Sequence, residues 1–251
     1  MGTRKISDKE IENIRKWLEN NQDSRSEKII AELEELIRKE FSTERVVCTN
    51  SAMASLHLAL QTIGVGPGDE VIVDPIVVFG GMAAMYQNAV PVFADIDLET
   101  YNIDPESISK RITSRTKAII CTHHFGNICD MKAILAIAKQ HNIPVIEDCA
   151  HALYATQNGK FAGLFGDFAA FSFNHRKQLS TGQGGFLLIN SKRYAEKSKD
   201  KGFGRVPARL TWNYTMSGII ASIAIAQWEN ARDYVKKDNE LAKLYTEALQ
   251  D

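Results

Sequence analysis

From residue 45 onward, short apolar runs alternate with helix-patterned segments, and this alternation most narrows the folds open to the chain. The runs at 45–49, 70–74, 91–95, 117–122, 143–147 and 168–173 are short, rich in β-branched residues and bounded by turn residues. Between them lie segments with helical signatures. Asn50 and Ser51 open one that continues through Leu56, Leu58, Leu60 and Ile63. A second, rich in small residues, spans 79–87. Pro105 suits a first helical position, and Asp130 precedes Ile134, Ile137 and Ala138 on one helical face. Strand, crossover helix, strand is the grammar of parallel sheets, whose strands are buried on both faces. The expectation is an α/β, three-layer fold with a mainly parallel sheet and helices on both faces.

The flanks read differently. Ser7 with Glu10 three residues later caps a helix over 7–19 carrying Ile11, Ile14 and Leu18. A polar stretch at 20–23 breaks it, and Ile29, Ile30, Leu33, Leu36 and Ile37 mark a second helix. Residues 1–44 therefore form an N-terminal helical segment, 45–215 the large domain, and 216–251 a long helical stretch. Residues 202–213 read as irregular.

Composition removes several function classes. Thirty Lys and Arg against 31 Asp and Glu leave a net charge of −1, so nothing draws the chain to nucleic acid or an anionic membrane. No apolar run nears the roughly 20 residues of a membrane span, and residues 1–10 are polar, unlike a signal peptide. The cysteines Cys48, Cys121, Cys129 and Cys149 lack paired metal-ligand spacing and read as small core residues of a reducing, cytoplasmic protein. No metal site is expected.

Chemistry concentrates in two stretches. Lys177 lies in a polar, glycine-rich turn between the apolar runs 168–173 and 185–189. A lysine at a sheet's mouth can be desolvated into a nucleophilic amine, although a solvated loop lysine fits the same pattern. The run 143–147 leads into Asp148, with His151 three residues on. A carboxylate at the carboxyl end of a parallel strand lies where open α/β sheets bind ligands, and it could pair with the ring nitrogen of pyridoxal phosphate. The small residues from Asn50 to Ser55 read either as a plain helix cap or as an anion-binding turn.

Several motifs in one order then resemble the DegT/DnrJ/EryC/StrS family of sugar aminotransferases. They are Leu56-His57-Leu58-Ala59-Leu60 with Gly64-Val65-Gly66-Pro67-Gly68-Asp69, then Pro91-Val92-Phe93-Ala94-Asp95, then Glu147-Asp148-Cys149-Ala150-His151-Ala152. Ser172-Phe173-Asn174-His175-Arg176-Lys177, Gly182-Gln183-Gly184-Gly185 and Trp212-Asn213-Tyr214 complete the series. The resemblance implies the large domain of a fold-type-I enzyme dependent on pyridoxal 5'-phosphate. By position, Lys177 is its Schiff-base lysine and Asp148 its pyridinium partner, and His151 lies near the ring hydroxyl. The resemblance puts Ala52 and Met53 N–H groups and the Ser172 hydroxyl on the phosphate, Phe79 over the ring, and Asn213 in a partner subunit's site, hence a homodimer with shared active sites. His123 matches a family histidine, with a satisfied strand-end histidine as the equal alternative.

The implied reaction moves an amino group from glutamate or glutamine to a keto sugar, nucleotide-linked by family analogy, with a cyclitol ketone as a further acceptor. Relatives that act as sugar dehydratases replace the lysine with histidine, whereas Lys177 is present here. A regulatory or scaffold member, catalytically impaired, is the alternative from another class. The chain departs from the family pattern at Met53, where threonine is usual, at Gln183, where glutamate is usual, and in a shortened segment before Trp212. Family members also continue into a small C-terminal domain that is absent from this chain.

Overall fold

The computed structural model describes residues 6–19, 25–199 and 212–249. Most of the irregular segment expected at 202–213, and the break at 20–23, lie outside these residues. In chain order the elements are α1 (Asp8–Glu19), α2 (Arg25–Phe41), β1 (Arg45–Thr49), α3 (Ala52–Ile63), β2 (Glu70–Val73), α4 (Val78–Tyr86), β3 (Val90–Phe93), α5 (Pro105–Arg111) and β4 (Thr116–Thr122). There follow α6 (Met131–His141), β5 (Val145–Asp148), β6 (Thr156–Gln157), β7 (Lys160–Phe161), β8 (Phe168–Ser172), β9 (Gly185–Ile189), α7 (Lys192–Lys199), α8 (Gly218–Trp228) and α9 (Ala231–Ala248).

Seven strands form one sheet in the order β1-β9-β8-β5-β4-β2-β3. β3, β2, β4, β5 and β8 pair in parallel, and β9 runs antiparallel between β8 and β1. The expected mainly parallel sheet is therefore present. β9 reverses because only a polar turn joins it to β8, and a turn without a crossover helix returns the chain antiparallel. The two-residue β6 and β7 form a separate hairpin that the periodicity did not announce.

Strand alternation divides the core. Phe171 and Phe186 face α2 and α8, where they stack with ring centroids 4.5 Å apart and join Ile30, Leu33, Phe41 and Trp228. Phe168, Ala170 and Leu187 face the other way, onto Leu56 and Leu60 of α3. Ser7 and Glu10 form the expected capping box, the Glu10 carboxylate accepting from Ser7 N at 2.8 Å. The helical pattern after 216 is two helices rather than one, parted at Glu229 and Asn230. Of these, α8 packs on α1 and α2 in the core. All four cysteines are buried and none is in a disulfide, as expected of core residues.

Candidate active site

The carboxyl ends of β1, β5 and β8 open onto a cavity of about 950 Å³. Asp148 ends β5, beside Thr122 of β4 and Ala170 of β8 in register. Alternation separates it from its neighbour: Asp148 turns toward the cavity, and Glu147 turns into the opposite layer. Asp148 is buried, and its Oδ1 accepts from Ala150 N at 3.0 Å. Burial raises its pKa, partly offset by that bond and by the Lys177 ammonium. Lys177 lines the same cavity. Desolvation lowers its pKa, with Asp148 acting the other way. Shifts of this kind collect at functional sites, and they set Lys177 apart from a fully solvated lysine.

The loop carrying Lys177 is held at both ends. Lys177 N donates to Asn174 O at 2.9 Å, and Phe173 N to Gly184 O at 2.9 Å. Gln227, buried on α8, accepts from Ser180 N at 2.9 Å and donates to Ser180 O at 2.6 Å. Sequence reading placed Gln227 on a helix but gave it no role, because its partner lies 47 residues away.

The amino end of α3 forms another wall. Ser51 caps it, its hydroxyl accepting from Ala54 N at 3.1 Å. The first N–H groups of a helix, here those of Ala52 and Met53, have no acceptor within the helix. Gly185 makes their approach possible: a Cβ there would come within 2.7 Å of Ala52 N and 2.4 Å of Phe171 O. Ser172 Oγ accepts from Asn174 N at 3.2 Å, which leaves its proton for another acceptor.

Lys177, Ala52, Met53, Phe79, Asp148, His151 and Ser172 therefore share one cavity. Asn213 does not line it; it is exposed beside Trp212 and Tyr214, whose rings stack at 6.0 Å and pack edge-on against His57. His123 also lies outside the cavity. It is fully buried, with Nε2 2.8 Å from Glu147 Oε2 and Nδ1 accepting from Cys129 N at 3.3 Å. The satisfied strand-end reading describes its surroundings.

Pyridoxal phosphate fits the residues present on three observations. A buried carboxylate and a partly desolvated amine line one cavity. His151 Nδ1 is buried with no hydrogen-bond partner among the described residues. Gly185 keeps the start of α3 clear of a side chain. Among the described residues, the donor atoms of His123, Glu147 and Cys149 lie within 4.8 Å of one another, as metal ligands can. The His123 and Glu147 atoms are already hydrogen-bonded, and burial pushes the Cys149 thiol well up, away from the thiolate a metal needs.

Fold and site together are those of a fold-type-I, pyridoxal-phosphate-type enzyme. The model of the DegT/DnrJ/EryC1/StrS aminotransferase family matches residues 4–251, and the chain belongs to that family, whose aminotransferases use pyridoxal phosphate. A GDP-perosamine synthase of Escherichia coli O157:H7 is 35% identical over 248 residues, covering 96% of this chain and 68% of the relative. The spore coat polysaccharide biosynthesis protein SpsC of Bacillus subtilis is 35% identical over 268 residues, covering 98% and 67%. Among solved structures, an aminotransferase from Psychrobacter cryohalolentis superposes with a TM-score of 0.84 at 30% identity, covering 93% of this chain and 64% of that one. The chain thus spans about two thirds of the length of these relatives.

Proposed function

We propose that this chain carries the catalytic site for transfer of an amino group from glutamate or glutamine to a nucleotide-linked keto sugar. The observation that carries the reading is the placing of Lys177 and Asp148 on one cavity, with burial pulling their pKa values in opposite directions. The name of the GDP-perosamine synthase relative supports a nucleotide sugar as acceptor.

When bound, pyridoxal phosphate supplies an electron sink that allows a C–H bond beside an amine to break. The chain's residues do the rest. Lys177, its pKa lowered by desolvation, offers the amine that would attack a carbonyl in its neutral form, and the same amine could carry the proton from carbon. Asp148, as a carboxylate, would hold a proton on the ring nitrogen. His151 Nδ1 lies free for a ring hydroxyl. Ala52 N–H, Met53 N–H and the Ser172 hydroxyl would hold the phosphate, the helix dipole adding to their effect. Met53 brings no hydroxyl of its own. Phe79, half-exposed at the cavity, is the candidate ring-stacking side chain.

The reading includes a homodimer in which Asn213 enters the partner's site. Its support is the exposure of Asn213 outside its own cavity and the apolar face that α4 leaves to solvent through Val78, Met82, Met85 and Tyr86. A cytoplasmic location belongs to the same reading. Among the described residues no helix is long and apolar enough to cross a membrane.

The test is the visible absorption of the protein with pyridoxal phosphate, before and after L-glutamate or L-glutamine. A band that forms with the wild type and bleaches with the amino acid supports the proposal. Borohydride should fix the cofactor's mass on Lys177 and on no residue of the Lys177→Ala variant. Absence of band and adduct in the wild type would overturn the reading. A band indifferent to every amino donor would favour the regulatory alternative.

A further inference from the structure

Phe125 stands at the cavity in a conformation that its own chemistry disfavours. Its φ and ψ are 53° and 22°, the left-handed region where a side chain with a Cβ is strained. Tyr101 and Tyr154 are the other aromatic residues with positive φ among the described residues, and neither lines the cavity. Packing does not hold the ring in place, since Phe125 is 85% exposed. The residues on either side do. His124 is buried, its Nε2 3.2 Å from Asp74 Oδ1 and its backbone N–H 3.1 Å from Asn102 Oδ1. Asn102 also donates to Asn127 O at 3.1 Å, and Asn127 N to His124 O at 2.8 Å. Gly126, at φ +87°, closes the turn so near His151 O that a Cβ would lie 3.2 Å from it.

This frame projects the Phe125 ring from the surface and sets it against His151, with centroids 5.9 Å apart and planes within 15°. One face is backed by the imidazole, and the rest of the ring faces solvent at the cavity. Strain imposed on an exposed aromatic side chain has no folding purpose here, because glycine would take the same backbone without cost. Such devices gather at ligand sites.

We propose that Phe125 is the platform for the apolar face of the acceptor's sugar ring, and so a specificity-determining residue. The inference rests on the keto-sugar reading above. A neutral aromatic face gains by covering the C–H face of a pyranose and offers no charge to a phosphate. The phosphate-holding groups belong to the start of α3, in another wall of the cavity.

The experiment is calorimetric titration of the cofactor-loaded protein with GDP-mannose and UDP-glucose, whose pyranoses lack a keto group and do not react, and with GDP and UDP alone. With the tighter-binding nucleotide sugar, Phe125→Ala and Phe125→Gly should each weaken binding roughly tenfold. Phe125→Tyr should bind as the wild type does, and affinity for the bare nucleotide should not change. Phe125→Gly should also melt roughly 2–4 °C above Phe125→Ala, reporting relief of the backbone strain independently of any ligand. Equal affinity of the wild type and Phe125→Ala for the nucleotide sugar would overturn the inference alone. An equal loss for the bare nucleotide would also overturn it, placing the ring on the nucleotide. A wild type that binds none of the four probes would overturn the nucleotide-sugar reading and this inference with it.

Discussion

Glu147 Oε2 lies 2.8 Å from His123 Nε2, and neither side chain exposes any surface. The same carboxylate accepts from Gly163 N at 2.8 Å, Phe165 N at 2.7 Å and Gly166 N at 2.6 Å. One side chain thus ties the end of β4 to the loop entering β8, directly behind the strand residue that presents Asp148. Glu147→Ala leaves the N–H groups of Gly163, Phe165 and Gly166 and the Nε2 of His123 without this partner, and should destabilise the fold by about 3–5 kcal/mol. Urea unfolding should show this as a lower midpoint with an unchanged slope.

Asp148 should weaken the fold it belongs to when no cofactor is present. Burial raises its folded pKa above the unfolded value of about 3.9. The folded state therefore binds the proton more tightly, and stability falls as pH rises from the unfolded to the folded pKa. Cofactor-free Asp148→Asn should melt above the wild type at pH 7, and the gap should narrow as pH falls toward 4. The same variant should bind pyridoxal phosphate more weakly by about 2–5 kcal/mol. Thermal melts with and without cofactor check both signs.

His57 is buried, and desolvation lowers its pKa to about 4. Its Nε2 faces Gln87 Nε2 at 2.8 Å and its Nδ1 faces Tyr214 Oη at 3.1 Å. Here the folded state binds the proton less tightly than the unfolded state, so stability is complete above about 6.5 and declines as pH falls toward 4. The slope should reach at most about 1.4 kcal/mol per pH unit. His57→Gln should remove this dependence, so the wild-type-minus-variant difference in urea midpoint should fall as pH drops from about 6.5 toward 4.

Gly185→Ala should damage the site more than the sheet's regularity suggests. The added methyl meets backbone atoms, Phe171 O at 2.4 Å and Ala52 N at 2.7 Å, which have no rotamer to yield. The start of α3 must shift from β9. A loss of about 1–3 kcal/mol in stability is expected from such overpacking. Fluorescence titration should show a larger proportional loss in pyridoxal-phosphate affinity, because the displaced atoms belong to the proposed phosphate cradle.

Much of this protein was legible before any coordinates. Alternation of short apolar runs with capped helices is a local property, so the parallel sheet, the Ser7–Glu10 box, the helix begun by Pro105 and the caps at Ser51 and Asp130 followed from residues a few positions apart. Lys177 and Asp148 were legible as chemistry because each interrupts an apolar pattern where a sheet ends. Periodicity also assigns a face, and so it could separate Asp148 from Glu147. It could not say what each face meets. Gln227 reaching Ser180, Glu147 reaching Gly166, and Tyr214 reaching His57 across 157 residues depend on strand order, register and helix docking. The strained Phe125 likewise needed His124 and Asp74, 50 residues apart, to hold its turn. Local pattern alone marks which residues could do chemistry. Which partners fix them was decided only by the tertiary structure, because side-chain contacts between distant segments arise from packing that no local pattern encodes.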